Sequence, residues 1–246
     1  MAASAAESMV ARSLRDTLAR VARAAERANR SHKEITVVAV GKTKPVSMIQ
    51  EAYDAGHRDF GENYVQEIVE KAPLLPRDIR WHFIGHLQSN KAKGLIAEVP
   101  NLHTVETVDS VKIANHLNRA CSSAARQERL RVMVQVNTSG EPSKYGVEPS
   151  ECVGLVKHVV EECPYLRFAG LMTIGMLDYS SRPENFHCLQ ECRRHVCQEL
   201  GLGKEHCGLS MGMSGDFEQA VEMGSTNVRI GSTIFGARDY SKTVAS

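Results

Sequence analysis

Eight short runs of strand character, most of them apolar, punctuate this chain, and a segment of helical pattern follows each one. The runs lie at 35–40, 57–61, 79–84, 102–105, 130–136, 166–174, 207–211 and 226–230. The first, with Ile35, Val37, Val38, Ala39 and Val40, is apolar on both faces, as a strand in a parallel sheet covered on both sides should be. Helical segments are expected at 47–54, 62–71, 87–98, 108–126, 149–163, 183–200, 216–223 and from 233 onward. Strand and helix in regular alternation predict parallel strands joined by helical crossovers. Eight such units within 246 residues predict a closed (β/α)8 barrel of the TIM type, with a doubly wound open sheet as the alternative. Val10, Leu14, Leu18 and Val21 recur at helical spacing and add an extra N-terminal helix. No linker or low-complexity tract intervenes. Residues 1–240 are therefore expected to form one domain, and 241–246 a loose tail.

Charge and composition narrow the partners. Lys and Arg total 30 against 29 for Asp and Glu, a net charge of +1, and no basic run argues for nucleic acid. No apolar stretch approaches the roughly 20 residues that cross a bilayer, so no membrane partner is expected. The seven cysteines are odd in number, form no CxxC pair and follow no signal peptide, which predicts reduced thiols and a cytoplasmic location. The Ala- and Arg-rich N-terminus has a transit-peptide look, but Glu7, Asp16 and Glu26 sit badly with that.

In parallel α/β architectures, chemistry collects where strands surface at their carboxyl ends. Lys42 stands at such an exit, after the apolar run and Gly41, with Pro45 opening the next helix. A partly desolvated lysine favours its neutral amine, which can form a Schiff base with an aldehyde. The plain alternative is that Lys42 or Lys44 caps the strand with solvated charge. Near the C-terminus, the turns Ser210–Asp216 and Arg229–Thr233 follow consecutive strands. Ser214, as a helix cap, and the backbone N–H groups of Gly231 and Ser232 would converge on an anion, a phosphate in particular. Ordinary capping would use the same residues. Arg229 interrupts Val228 and Ile230 on a buried strand, so it is either a fixed cation facing the barrel mouth or half of an ion pair with Glu62 or Asp216.

Other candidates carry less. His82 and His86 flank one strand exit; His82 is expected to be packed, and His86 to lie near the pocket mouth. Cys188, Cys192 and His195 have the spacing to seat a metal on one helix face. The stripe Leu189, Cys192, Val196 and Leu200 favours core packing instead, and no metal is assigned. Tyr64 is open between a hydrogen bond near the site and barrel packing.

The motifs GKTKP, FGENYVQE, HFIGHLQSNK, VQVNTSGE, GLMTIG and LSMGMSGDFEQAVEMGSTNVRIGSTIFGARDY together resemble the pyridoxal-phosphate homeostasis protein family, over nearly the whole chain. The resemblance implies a single barrel related to the alanine racemase N-terminal domain, of the fold type III class that binds pyridoxal 5′-phosphate (PLP). It implies a Schiff base of PLP on Lys42, a phosphate site at Ser214, Gly231 and Ser232, Arg229 as partner of the ring nitrogen, and Asn63 lining the pocket. Many relatives have Ser before the lysine where this chain has Gly41, and the covalent link is not expected to depend on it. The implied role is intracellular vitamin B6 homeostasis, carrying or buffering PLP and supplying it transiently to apo PLP-dependent enzymes. Catalysis is not expected, because racemases of this fold add a C-terminal β domain and a second base, and Lys42 has no evident opposing group. No catalytic residue is therefore assigned. A low-activity amino acid racemase or another fold type III enzyme is the alternative. A phosphate-binding barrel without PLP leaves Lys42 and Arg229 unexplained.

Overall fold

The computed structural model describes residues 7–141, 145–175 and 183–237. Eight parallel strands close into a barrel in sequence order, β1 (Thr36–Val40), β2 (Asp59–Glu62), β3 (Arg80–Phe83), β4 (Leu102–Val108), β5 (Leu130–Gln135), β6 (Leu166–Met172), β7 (Gly208–Ser210) and β8 (Asn227–Ile230). A leading helix, α1 (Met9–Arg27), precedes them. The crossovers are α2 (Val46–Asp54), α3 (Val65–Lys71), α4 (Ala92–Glu98), α5 (Val111–Ser123), α6 (Cys152–Glu162), α7 (Pro183–Leu200) and α8 (Phe217–Glu222), and α9 (Ser232–Phe235) follows β8. The ring closes where β1 meets β8, in a register that sets Val38 opposite Arg229.

Strand alternation divides the core in two. Val37 and Ala39 join the large apolar layer between strands and helices, whereas Val38, Val40 and Ile84 form a separate cluster. Inside the barrel that aliphatic cluster faces buried polar groups from β3, β4, β7 and β8: His82, Glu106, Ser210, Asn227 and Arg229.

Several expected boundaries shift. β4 runs three residues past the predicted end at 105, because Glu106 is fully buried and fully bonded rather than solvated. Glu62 ends β2 instead of opening a helix, and α3 starts only at Val65. The predicted helix at 108–126 shortens to Val111–Ser123, capped by Ser110, whose Oγ accepts from the Ile113 N–H at 3.3 Å. On α1, Leu18 is 40 % exposed, and Thr17 takes its place in the buried stripe by donating its hydroxyl to the Ser13 carbonyl at 2.7 Å. Leu189, Cys192 and Val196 are buried on α7, with Leu200 packed against the core. The tail at 241–246 lies outside the described residues.

Candidate functional site at the carboxyl mouth of the barrel

The expected strand exits meet at one end of the barrel. β1 delivers Lys42, β2 delivers Asn63, β7 leads to Ser214, and β8 carries Arg229 up to Gly231 and Ser232. The two lysines of the GKTKP motif separate. Lys44 Nζ donates to the Ala237 carbonyl at 2.6 Å, which ties the loop to the segment after α9. Lys42 is half-buried. Between them Thr43 adopts φ 63°, the left-handed region that β-branched residues rarely enter.

That strained loop is clamped from α3. Lys71 Nζ donates to the Gly41 carbonyl at 2.9 Å, to Glu62 Oε1 at 2.8 Å and to Glu67 Oε2 at 2.6 Å. Glu67 Oε2 also accepts from the Thr43 N–H at 2.9 Å. Burial pushes the Glu62 carboxyl up to about 7, against the pull of Lys71 and of Lys42. Sequence reasoning missed this clamp. Its only trace is the i, i+4 spacing of Glu67 and Lys71, which usually marks a solvated helix face.

Arg229 points into the barrel. Its guanidinium donates to the Ser210 hydroxyl and, at 2.7 Å, to the Thr173 carbonyl. The alternative, an ion pair with Glu62 or Asp216, does not form. Ser210 passes the contact on by donating to Glu106 Oε2 at 2.5 Å. Glu106 Oε1 accepts from Asn227 Nδ2 at 2.8 Å and lies 2.7 Å from His82 Nδ1. The other ring nitrogen of His82 faces Asp59 at 3.3 Å. Burial alone would lower His82, but these two carboxylates hold it up at about 9, so it is an imidazolium at neutral pH. His82 and Arg229 in turn hold Glu106 below the usual carboxylate range in spite of its burial. Burial lowers Arg229 as well, with Glu106 opposing; a guanidinium so placed stays charged.

Ser214 does not cap α8. Asp216 precedes that helix, and its Oδ1 accepts from the Met213 N–H at 2.7 Å. The Ser214 hydroxyl oxygen instead reaches the next turn, accepting from the N–H groups of Gly231 at 3.3 Å and Thr233 at 3.4 Å. The two turns therefore lie against each other, with Ser232 exposed beside them. Asn63 is half-buried, and its Oδ1 is buried without a partner. Gly85 makes room for this approach, since a Cβ there would sit 1.8 Å from the Asn63 carbonyl oxygen. An amine, a buried cation, a pair of N–H-bearing turns and an orphaned acceptor fit PLP, with its aldehyde, ring nitrogen, phosphate and phenolic hydroxyl. His86 stacks on Tyr145 with ring centroids 3.6 Å apart, and Tyr64 is 56 % exposed, outside the core.

The sequence profile of the alanine racemase N-terminal domain matches residues 14–239. The human pyridoxal phosphate homeostasis protein is 54% identical over 215 residues, covering 84% of this chain and 78% of that one. PipY of Synechococcus elongatus, solved with PLP bound, aligns with a TM-score of 0.72 at 29% identity, over 88% of this chain and 100% of that one. Alanine racemase of Corynebacterium glutamicum shares the fold alone, at 16% identity and a TM-score of 0.67, over 95% of this chain and 62% of that one. With the barrel and the sequence agreeing over most of its length, the chain belongs to the pyridoxal phosphate homeostasis protein family.

Proposed function

We propose that the carboxyl mouth of this barrel holds pyridoxal 5′-phosphate and that the protein serves intracellular vitamin B6 homeostasis as a carrier or buffer of it. The observation that carries this reading is the convergence of Lys42, Arg229, Ser214 and the Gly231 turn at neighbouring strand exits. PLP supplies an aldehyde that condenses reversibly with a primary amine. Lys42 provides that amine, on a loop fixed by Lys71 and Glu67. Ser214 and the Gly231–Ser232 turn receive the phosphate, and Asn63 Oδ1 accepts from a donor on the ligand. Arg229 has donors only, so it pairs with a ring nitrogen that carries no proton. A ring held so withdraws electrons weakly, which favours storage over turnover.

Racemisation needs an acid and a base on opposite faces of the substrate carbon. Glu62 and Glu67, beside Lys42, are both engaged by Lys71, which supports a carrier over an enzyme. The seven cysteines are free, as suits a reducing compartment such as the cytoplasm. Apo PLP-dependent enzymes are the expected recipients.

One preparation tests the reading. The purified protein should be yellow, and borohydride should fix the chromophore to the Lys42 peptide. Lys42→Ala should lose the band on dialysis, and Ser214→Ala should retain PLP about tenfold less tightly. A full band in dialysed Lys42→Ala would remove the covalent assignment. Steady α-proton exchange of free amino acids, abolished by Lys42→Ala, would favour the racemase-like alternative over the carrier.

A further inference from the structure

The opposite end of the barrel carries an unassigned cluster of positive charge. Two cavities of about 420 and 610 Å³ adjoin there and share Arg80, His103 and Arg131 in their walls. Arg77, Arg129 and Arg167 line the outer one. Some of the nearby charge is already spent. Arg80 is bound to Asp59, Arg126 donates to the carbonyls of Pro100 and Leu102, and Asp78 is taken by Arg58 and Tyr53. Among the described residues, the guanidinium groups of Arg77, Arg129, Arg131 and Arg167 have no hydrogen bond or ion pair. Glu34, Glu128 and Glu205 also line these walls and form no ion pair with the four, while Asp59 and Glu106 attract Arg131 from a distance without bonding it.

Folding alone gives no reason for this arrangement. Arg131 and Arg167 stand directly opposite each other in the β5–β6 ladder, where like charges destabilise. Arg131 is half-buried, and its Nε is buried with no acceptor. Deeper in the inner cavity, Asn227 Oδ1 is a buried acceptor with no donor. An orphaned donor and an orphaned acceptor in the walls of one connected space fit an organic ligand better than a bare ion. The volume suits a metabolite-sized molecule. The inner cavity also runs down to His82, between the strands, where a nucleic acid duplex cannot follow.

We propose that the amino mouth of the barrel is a second binding site, for a small organic polyanion bearing two or more phosphate or carboxylate groups. Arg131 and Arg167 clasp one anionic group, as guanidinium forks do. Arg77 and Arg129 hold another at the rim. The site is independent of the carboxyl mouth.

Calorimetric titration at physiological ionic strength tests it, with tripolyphosphate and citrate as probes for the two oxyanion chemistries. The protein is first loaded with PLP and dialysed free of the excess, so that the carboxyl mouth is filled and no loose PLP competes at the amino mouth; a parallel titration of Ser214→Ala without PLP keeps the test separate from the function proposed above. At least one probe should bind saturably, and the tighter probe identifies the oxyanion. Arg131→Gln and Arg167→Gln should each weaken it about tenfold or more, while Ser214→Ala leaves it unchanged. In anion-free buffer Arg167→Gln should raise Tm by about 1–2 °C through relief of like-charge repulsion, which also confirms that the variant folds. No saturable binding below about 10 mM of either probe, equal binding in both arginine variants, or binding of duplex DNA but neither probe would overturn the proposal.

Discussion

At the carboxyl mouth Lys71 has three oxygen acceptors within 2.9 Å, whereas at the amino mouth Arg131 has none. Both side chains are largely withdrawn from water, and both belong to a barrel of nearly neutral charge. The difference lies in what surrounds them. α3 brings Glu67 and β2 brings Glu62 to Lys71, so the loop that presents Lys42 is fixed before any ligand arrives. At the other end, Arg131 faces another arginine. Between the mouths runs the row Asp59, His82, Glu106, Ser210 and Arg229, in which each charge is answered by a neighbour. A satisfied charge holds a structure in place; an unsatisfied one is open to a ligand.

The sharpest way to break this contrast is to remove the centre of the paired row. Glu106→Ala leaves His82 and Arg229 as buried cations without their shared carboxylate, and should cost about 3–5 kcal/mol in urea unfolding. A loss under about 1 kcal/mol would mean that the row is not held together by charge. Next in size is Lys71→Met, which strands Glu62. Because Glu62 can take up a proton near pH 7, the loss should be about 3 kcal/mol at pH 8 and distinctly smaller at pH 5. The same loss at both values would show that Glu62 does not titrate there.

A smaller effect follows from His82. Its folded value of about 9 lies above an ordinary value of 6.5, so its contribution is complete below pH 6.5 and fades as pH rises through 9. Unfolding free energy should fall by up to about 3 kcal/mol across that window, and His82→Gln should flatten the slope. An unchanged slope in His82→Gln would assign the dependence elsewhere. Smallest of all, Arg167→Gln at the unpaired mouth should cost nothing, the reverse of Lys71→Met.

How much of this was legible in the chain depended on whether a signal was local. Each strand run, each helix stripe and each of the turns carrying Lys42, Ser214 and Gly231 is a signal contained in a few consecutive residues, and they appear in the structure close to where they are expected. Misreadings came where polarity and burial part company. The run expected at 102–105 stops just short of Glu106, whose partners come from β3, β7 and β8 and carry the strand on. Ser214 was read as a cap for the helix beside it, but its oxygen serves the turn after the following strand. For Arg229 two readings stand open in the sequence, and the structure takes the inward-facing one, with a hydroxyl that relays the charge to Glu106.

The sequence by itself determined the eightfold alternation of strand and helix and the candidate residues at the strand exits, because apolar periodicity and turn residues act over one or two turns of chain. Only the tertiary structure decided which charges are answered. Lys71 with Glu62, His82 with Glu106, and Arg131 with Arg167 come from separate elements, nine residues apart in the first case and 24 in the second, and the packing of those elements sets their distances. Coulomb energy and burial depend on those distances, so a net charge near zero concealed both a saturated interior and an unsatisfied surface.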